Sequence, residues 1–492
     1  MDNYFYYDAG LEYPKISPYP PHEQYPEYPH DDLVTTDGAK EENKVYEAVR
    51  NMFAALRLDD SNIGNAAWNP LGKYIHPGQT VLLKPNMVNH HNPAEREFER
   101  GMDCLVTHPS VVRCLFDYVY IALRGSGKII LADAPIQGCD FELLLQNTGY
   151  GGLVSYLRGK ATDTLAVQVA DLREVTYTKK EGRIIQEKRE ALEFGSKTID
   201  LKRESFFAMM PRTCGFRVTG YAGRDTYAHH GKNHNEYKVS DAVLEADVVV
   251  NVVKPKTHRI AGYTGALKNM IGINARKEYL PHHQKGAKGK GGDEYTDGHG
   301  MLKWFNSTGN DIKNWAIKKD YQAVASMANE FSRRIGRKLD KYEPGRKKFG
   351  MWHGNDTIWR TILDVNHIVR FADKDGIMQK HKQRKILHFG DMVACGECEG
   401  PLEPSYKKVG GILFSESAVV FDLFVVKLMG FAWKSFPVLA HAVRCQGRST
   451  FYMQSNEGRY DKEIAQISGE DTFYFIPTKG WLEYLSGIDM ES

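Results

Sequence analysis

The run Asp247-Val-Val-Val-Asn-Val-Val253 constrains this chain more than any other stretch. β-Branched side chains are stiff at χ1 and pack well on a pleated surface. A strand apolar at nearly every position, rather than at every second one, is buried on both faces, as in a parallel sheet covered by helices. Asp241 to Glu245 reads as the end of a helix feeding this strand, and Pro255, which has no N–H to donate, stops the ladder.

The same architecture is spelled out upstream. Thr80-Val-Leu-Leu83 is a short buried strand, Ser110 to Leu123 is an amphipathic helix with Pro109 in its first turn, and Lys128-Ile-Ile-Leu-Ala132 is a second strand. Strand, helix, strand at this spacing is a βαβ unit. Glu41 to Leu58 and Ser417 to Met429 read as further helices, Val175 to Gln186 as a hairpin, and Ile386–Phe389 and Gly411–Phe414 as strands. The expected class is α/β, with mostly parallel sheets and helices on both faces. Residues 1–40, rich in Tyr and Pro, form an extended arm over the domain or a neighbouring subunit, in which no helix or central strand fits. The α/β core covers 41–435, with a Gly/Lys-rich polar insertion at 285–350 read as a flexible loop followed by partly helical chain. Residues 436–492 are a C-terminal extension packed on the core.

Charge and composition narrow the function classes. Sixty-five basic and 62 acidic residues leave a net charge of +3, too balanced for nucleic-acid binding by the whole chain. The longest apolar stretch, Val409 to Phe431, is broken by Glu416, Asp422 and Lys427, which argues against a membrane span. The first residues carry no basic region followed by an apolar one, so a cytoplasmic location and no membrane partner are expected. Seven irregularly spaced cysteines do not make a disulfide framework. Cys395-Gly-Glu-Cys398 lacks the second pair a structural zinc site needs and reads as two thiols in a reducing cell.

Two strands end alike, at Lys84-Pro85-Asn86 and at Lys254-Pro255-Lys256, and Asp133 ends a third. Open parallel sheets bind ligands outside the carboxyl ends of their strands, so these residues are expected to converge on one crevice. Gly262, Gly265 and Gly272 then suggest close approach of backbone to a ligand, and the N–H groups and lysines there suit an anion. Lys254, Lys256 and Lys268 gathered together would lower the pKa of at least one of them toward neutrality. Histidines surround the segment, with His229, His230 and His234 upstream and His282 and His283 downstream. A divalent metal held by His258, one of His282 and His283, and a carboxylate is one candidate; acid/base histidines without metal are the other.

Side by side, these pieces resemble the family known as domain of unknown function 362. The resemblance rests on Leu-Lys84-Pro85-Asn86, Thr107-His108-Pro109, Ala132-Asp133-Ala-Pro, Val-Lys254-Pro255-Lys256-Thr257-His258, Gly265-Ala-Leu-Lys268-Asn269-Met-Ile-Gly272 and Gly396-Glu-Cys-Glu-Gly400-Pro401. Some relatives carry ferredoxin-type clusters. The Cys-x2-Cys-x2-Cys-x3-Cys run is missing here, so no iron–sulfur cluster is expected. His258-Arg-Ile-Ala-Gly-Tyr-Thr-Gly-Ala-Leu-Lys268 is also similar to the His-to-Lys segment of nickel-pincer lactate racemases, where the lysine carries the cofactor. It departs from that pattern at Leu267 and lacks the Asp-x-Thr-Arg motif. The likeness singles out His258 as acid/base and Lys268 as covalent or electrostatic partner.

The expected function is an enzyme acting on a small anionic metabolite, with isomerase or epimerase chemistry first. His258 and Lys268 are the catalytic candidates. Lys84, Asn86, His108, Asp133, Lys254, Lys256 and Asn269 are the substrate-binding candidates. A non-catalytic polyanion-binding protein, or an assembly component making homo-oligomer contacts through the arm, is the alternative.

Overall fold

A computed structural model describes the chain apart from residues 1–2, 34, 37–38, 97–100, 181–182, 209, 211–214, 219–222, 232, 343–348, 444–449, 456–457, 464–468 and 487–492. Cys214 and Cys445 and the tip of the 175–186 hairpin therefore lie outside the described residues.

Val248–Val253 is the hub, with all six residues buried. It runs parallel to Lys385–Glu399 on one side and to Thr80–Lys84 on the other, in the register Val248↔Lys385 and Val248↔Val81. Gly127–Asp133 and Leu165–Asp171 continue the parallel half. Alternate side chains feed two cores. Val249, Val253, Leu82 and Ile130 join the helices Ile358–Phe371 and Ala418–Leu428 on one face. Val248, Val250, Val252, Val81, Leu83 and Ile129 join Lys44–Ala55 and Pro109–Leu123 on the other. Each fully buried valine contributes roughly 2 kcal/mol, so a strand loaded on both faces is held from both sides.

Beyond Lys385–Glu399 the sheet turns antiparallel. The strands expected at 386–389 and 411–414 are the inner parts of a long hairpin, Lys385–Glu399 with Glu403–Ser415, irregular between Met392 and Ala394. Glycines at 390, 396, 410 and 411 obscure the pattern in sequence. At Gly390, for example, a Cβ would meet Leu413 and Phe421 at 2.9–3.0 Å.

The arm differs from expectation at its start. Asn3–Tyr7 is a strand inside the main sheet, antiparallel to Glu403–Ser415 and parallel to Thr450–Ser455. It precedes the first proline, Pro14, so every backbone N–H is available to the ladder. The stretch after it lies over its own domain, burying Tyr19, Tyr25 and Tyr28. Arg113, from the helix beneath, donates to Pro18 O (3.0 Å) and Asp32 (3.0 Å).

The insertion holds two long helices, Gly300–Lys318 and Gln322–Tyr342. They approach closely where a Cβ on Gly309 would stand 2.4 Å from Ser332 Oγ. In the C-terminal part, Trp481 stacks on Phe436, with centroids 5.4 Å apart. Among the described residues no helix is long and apolar enough to cross a membrane.

Candidate functional site

Strands Thr80–Lys84, Gly127–Asp133, Val248–Val253 and Lys385–Glu399 deliver their carboxyl ends to one cavity of about 640 Å³. Asn86, Asp133, Lys256, His258, Lys268, Asn269 and His282 all line it. Aliphatic side chains complete the lining, among them Val88, Ile136, Ile260, Ile271 and Leu402.

Four other candidates stand elsewhere. Lys84 is fully buried and ion-paired with Asp133 at 2.8 Å; the other carboxylate oxygen accepts the Met87 N–H at 2.7 Å. Lys254 is fully buried against Asp391 at 2.6 Å and also donates to Tyr13 Oη and Ala394 O. His108 accepts the Ser110 N–H through Nδ1, capping Pro109–Leu123, and stacks beneath Tyr13 with centroids 3.9 Å apart. His283 turns away from His282 and lies 3.9 Å from Glu294. Both lysines are engaged within the fold, where a carboxylate at hydrogen-bond distance offsets the cost of burying a charged amine. Of the metal-ligand candidates, His258 and His282 line the cavity and His283 does not. Among the described residues no group of three His, Cys, Asp or Glu side chains is placed to hold a metal. Of the upstream histidines, His229 pairs with Glu236 at 2.8 Å and His230 bonds Tyr279 O.

The glycines serve the protein itself. A Cβ on Gly262 would reach Phe436 at 2.4 Å, one on Gly265 would reach Asp422 Oδ1 at 2.2 Å, and one on Gly272 would reach Asp133 Oδ1 at 2.1 Å. Asp422 in turn accepts the Ala266 and Leu267 N–H groups and the Tyr263 hydroxyl, and burial pushes its carboxyl up to about 7. Close approach is real, but to side chains that pin the Ala266–Asn269 turn, not to an open anion cradle.

What remains on the wall is electropositive. Burial, joined by Lys254 and Lys268, pushes Lys256 down to about 7; its Nζ donates to Asn86 Oδ1 at 2.8 Å and to Leu105 O. Lys268 is pushed down to about 8 by burial and by Lys84, and makes no hydrogen bond or ion pair among the described residues. Lys277, which sequence reasoning missed, donates to Ala134 O at 2.9 Å and is pushed down to about 7 by burial. Lys313 reaches the wall from the insertion helix, and burial lowers its pKa as well. Neither had a usable signal: Arg276-Lys277-Glu278 reads as a solvated charge run, and Lys313 sits in a polar insertion. On the opposing side, Asp133 is engaged with Lys84, and Arg259 is matched by Glu399 and Glu403.

An amide relay runs inward from Lys256. Asn86 Nδ2 donates to Asn269 (2.7 Å), Asn269 Nδ2 to Asn251 (2.7 Å), and Asn251 Nδ2 to His388 Nδ1 (3.0 Å). Burial pushes His388 down to about 3, which keeps that acceptor neutral. The relay fixes the direction of every amide and leaves Lys256 as its source of positive charge.

The two cavity histidines have opposite tautomers. His258 Nδ1 accepts N–H bonds from Ile260 (3.0 Å) and Ala261 (3.1 Å), so the neutral ring carries its proton on Nε2. His282 Nδ1 lies 2.7 Å from Leu280 O and must donate, which leaves Nε2 as a bare acceptor. Burial and the Lys268 charge hold both rings neutral, His258 well below its ordinary value and His282 at about 3.

Elsewhere, Cys395 is a buried free thiol and Cys398 a partly exposed one. Lys285 of the Gly/Lys-rich segment pairs with Asp311 at 2.9 Å, and Lys288 stands over Trp352.

A thylakoid-associated protein of Synechocystis is 23% identical over 243 residues, 49% of this chain and 52% of that protein. The chain thus spans about half the length of the curated relative it matches. A crystal structure of a Thermotoga maritima protein aligns with 74% of this chain and 55% of its own, at 10% identity and a TM-score of 0.29. Residues 166–427, which carry Lys256, His258, Lys268, Lys277 and His282, match the family described as Domain of unknown function (DUF362), and the chain belongs to it.

Proposed function

We propose that this protein is an enzyme acting on a small anionic metabolite, a hydroxy acid, sugar acid or phosphorylated compound, by proton transfer of the isomerase or epimerase type. One observation carries the reading: Lys256, Lys268 and Lys277 share a cavity wall whose acidic side chain, Asp133, is already engaged by Lys84. An entering anion would supply the missing countercharge. It would raise the lysine pKa values and, by offsetting the Lys268 field, make His282 Nε2 a stronger base. His282 would take the proton from carbon, His258 Nε2–H would donate to the developing oxyanion, and Lys256 or Lys268 would stabilise that charge. Of the acid and base roles that the sequence left open for His258, the donor role suits it because its Nδ1 is occupied. Ligand cavities of roughly 300–1,000 Å³ hold drug-sized molecules. At about 640 Å³ this one favours sugar acids and phosphorylated compounds over a three-carbon acid. A cytoplasmic location accompanies the reading; thylakoid association belongs to the relative's name.

The test is deuterium incorporation from D2O into a panel of hydroxy acids, sugar acids and sugar phosphates, followed by proton NMR. Exchange at the C–H beside the acid or carbonyl is expected, with His282→Gln losing exchange but keeping the ligand-induced rise in Tm. Absence of both exchange and any Tm rise across the panel refutes the proposal. Intact mass of the purified protein reads separately whether Lys268 bears an adduct, as the racemase likeness would require.

A further inference from the structure

The insertion hairpin presents an exposed apolar surface on the side away from the cavity. Along Gly300–Lys318, Met301, Trp304, Phe305, Ile312 and Trp315 recur on one helical stripe and are exposed, Met301 by 75% and Trp304 by 58%. Gln322–Tyr342 exposes Met327 by 74%, with Val324 and Phe331 beside it. The stripes coalesce, because Phe305 meets Phe331 at 6.3 Å and Trp315 meets Tyr321 at 5.4 Å across the hairpin. A monomer rarely leaves a contiguous face of this kind to water.

Charge selects the occupant. Residues 300–342 hold nine Lys and Arg against four Asp and Glu, a net +5 in a chain whose total is +3. Exposed Arg334 and Lys338 continue the stripe of Val324, Met327 and Phe331 at helical spacing. A second copy docked on this face would set like charge against like, whereas an anionic surface is complementary to it. Aromatic and Met side chains flanked by Arg and Lys are the composition of helices that lie in a bilayer interface. The helices are too charged to span, so the contact is with one leaflet only.

We propose that the hairpin Gly300–Tyr342 docks this protein on anionic lipid headgroups, with its aromatic face entering the interface. This replaces the expectation of no membrane partner, which rested on the lack of a spanning segment. The inner side of the same hairpin supplies Lys313 and Ile317 to the cavity wall, so docking sets the cavity beside the lipid.

The test is co-sedimentation of the full chain with vesicles of phosphatidylcholine alone and of phosphatidylcholine mixed with phosphatidylglycerol. Binding to the mixed vesicles is expected, weakened by salt, with tryptophan emission shifting to the blue. The double variant Trp304→Ser, Met327→Ser and, separately, Arg334→Glu, Lys338→Glu should each lower binding roughly tenfold. These side chains are exposed, so the fold tolerates both variants. Wild-type protein remaining in the supernatant, or variants sedimenting as wild type does, overturns the proposal. A dimer in light scattering that Trp304→Ser, Met327→Ser dissociates also overturns it, assigning the face to a second copy.

Discussion

Replacing Lys268 by methionine removes a charge that no described carboxylate meets, and it is expected to stabilise the protein while abolishing anion binding. The displacement from 10.5 to about 8, at about 1.4 kcal/mol per pH unit, makes the charged lysine unfavourable in the fold by roughly 3 kcal/mol. Lys268 is half-buried and faces the cavity, so water screens part of this, and a net gain of about 1–3 kcal/mol is expected for Lys268→Met at neutral pH. The folded pKa lies below the unfolded one. The penalty is therefore absent above 10.5, grows as pH falls from 10.5 to about 8, and is constant below that. Urea denaturation of both proteins near pH 7 and near pH 10 reads this directly. The gain should be largest at the lower pH and shrink toward zero at the higher. A variant less stable than wild type at neutral pH, or a gain independent of pH, would refute the reasoning that Lys268 is held without a countercharge.

Three further outcomes are expected. Binding of inorganic phosphate, followed by calorimetry, should weaken at least roughly tenfold as pH rises from below 7 to above 8, because Lys256 and Lys277 (about 7) and Lys268 (about 8) lose their charges in that window; a flat profile sinks the assignment. Tyr13→Phe deletes the hydroxyl that donates to Asp391 at 2.6 Å and accepts from Lys254 at 2.7 Å. The urea midpoint should report a loss of about 1–3 kcal/mol, and an unchanged midpoint would mean the arm is not needed to close that ion pair. Gly272→Ala forces a Cβ within 2.1 Å of Asp133 Oδ1 and 2.8 Å of Lys84 Nζ. It should cost about 3 kcal/mol or more by thermal melting, and wild-type stability would show that the turn yields freely.

The strands legible from sequence are those whose signal is local. Val248–Val253 and Gly127–Asp133 are apolar runs with a stop signal, and Pro109–Leu123 has a helical stripe and a proline at its start. Asn3–Tyr7 was hidden by the prolines that follow it and by a pairing partner far along the chain, and only the inner parts of the hairpin Lys385–Ser415 were legible, because its glycines interrupt the pattern. The insertion's helical face was present in its periodicity, but nothing local says that a stripe of Trp, Phe and Met is left unburied. That depends on what the rest of the fold packs against it.

The amino-acid sequence alone determined that a buried parallel strand ends at Lys254-Pro255-Lys256, and that its carboxyl end shares a crevice with Asn86 and Asp133. β-Branched runs and prolines act on their own backbone, so they need no distant partner to be read. Only the tertiary structure decided which lysines face the cavity. Lys84 and Lys256 look alike in sequence, yet Lys84 meets Asp133, 49 residues downstream, and is neutralised within the wall. Lys256, Lys268 and Lys277 find no such carboxylate among the described residues. A lysine's role here is set by whether a carboxylate reaches its ammonium group, and only the folded chain determines that distance.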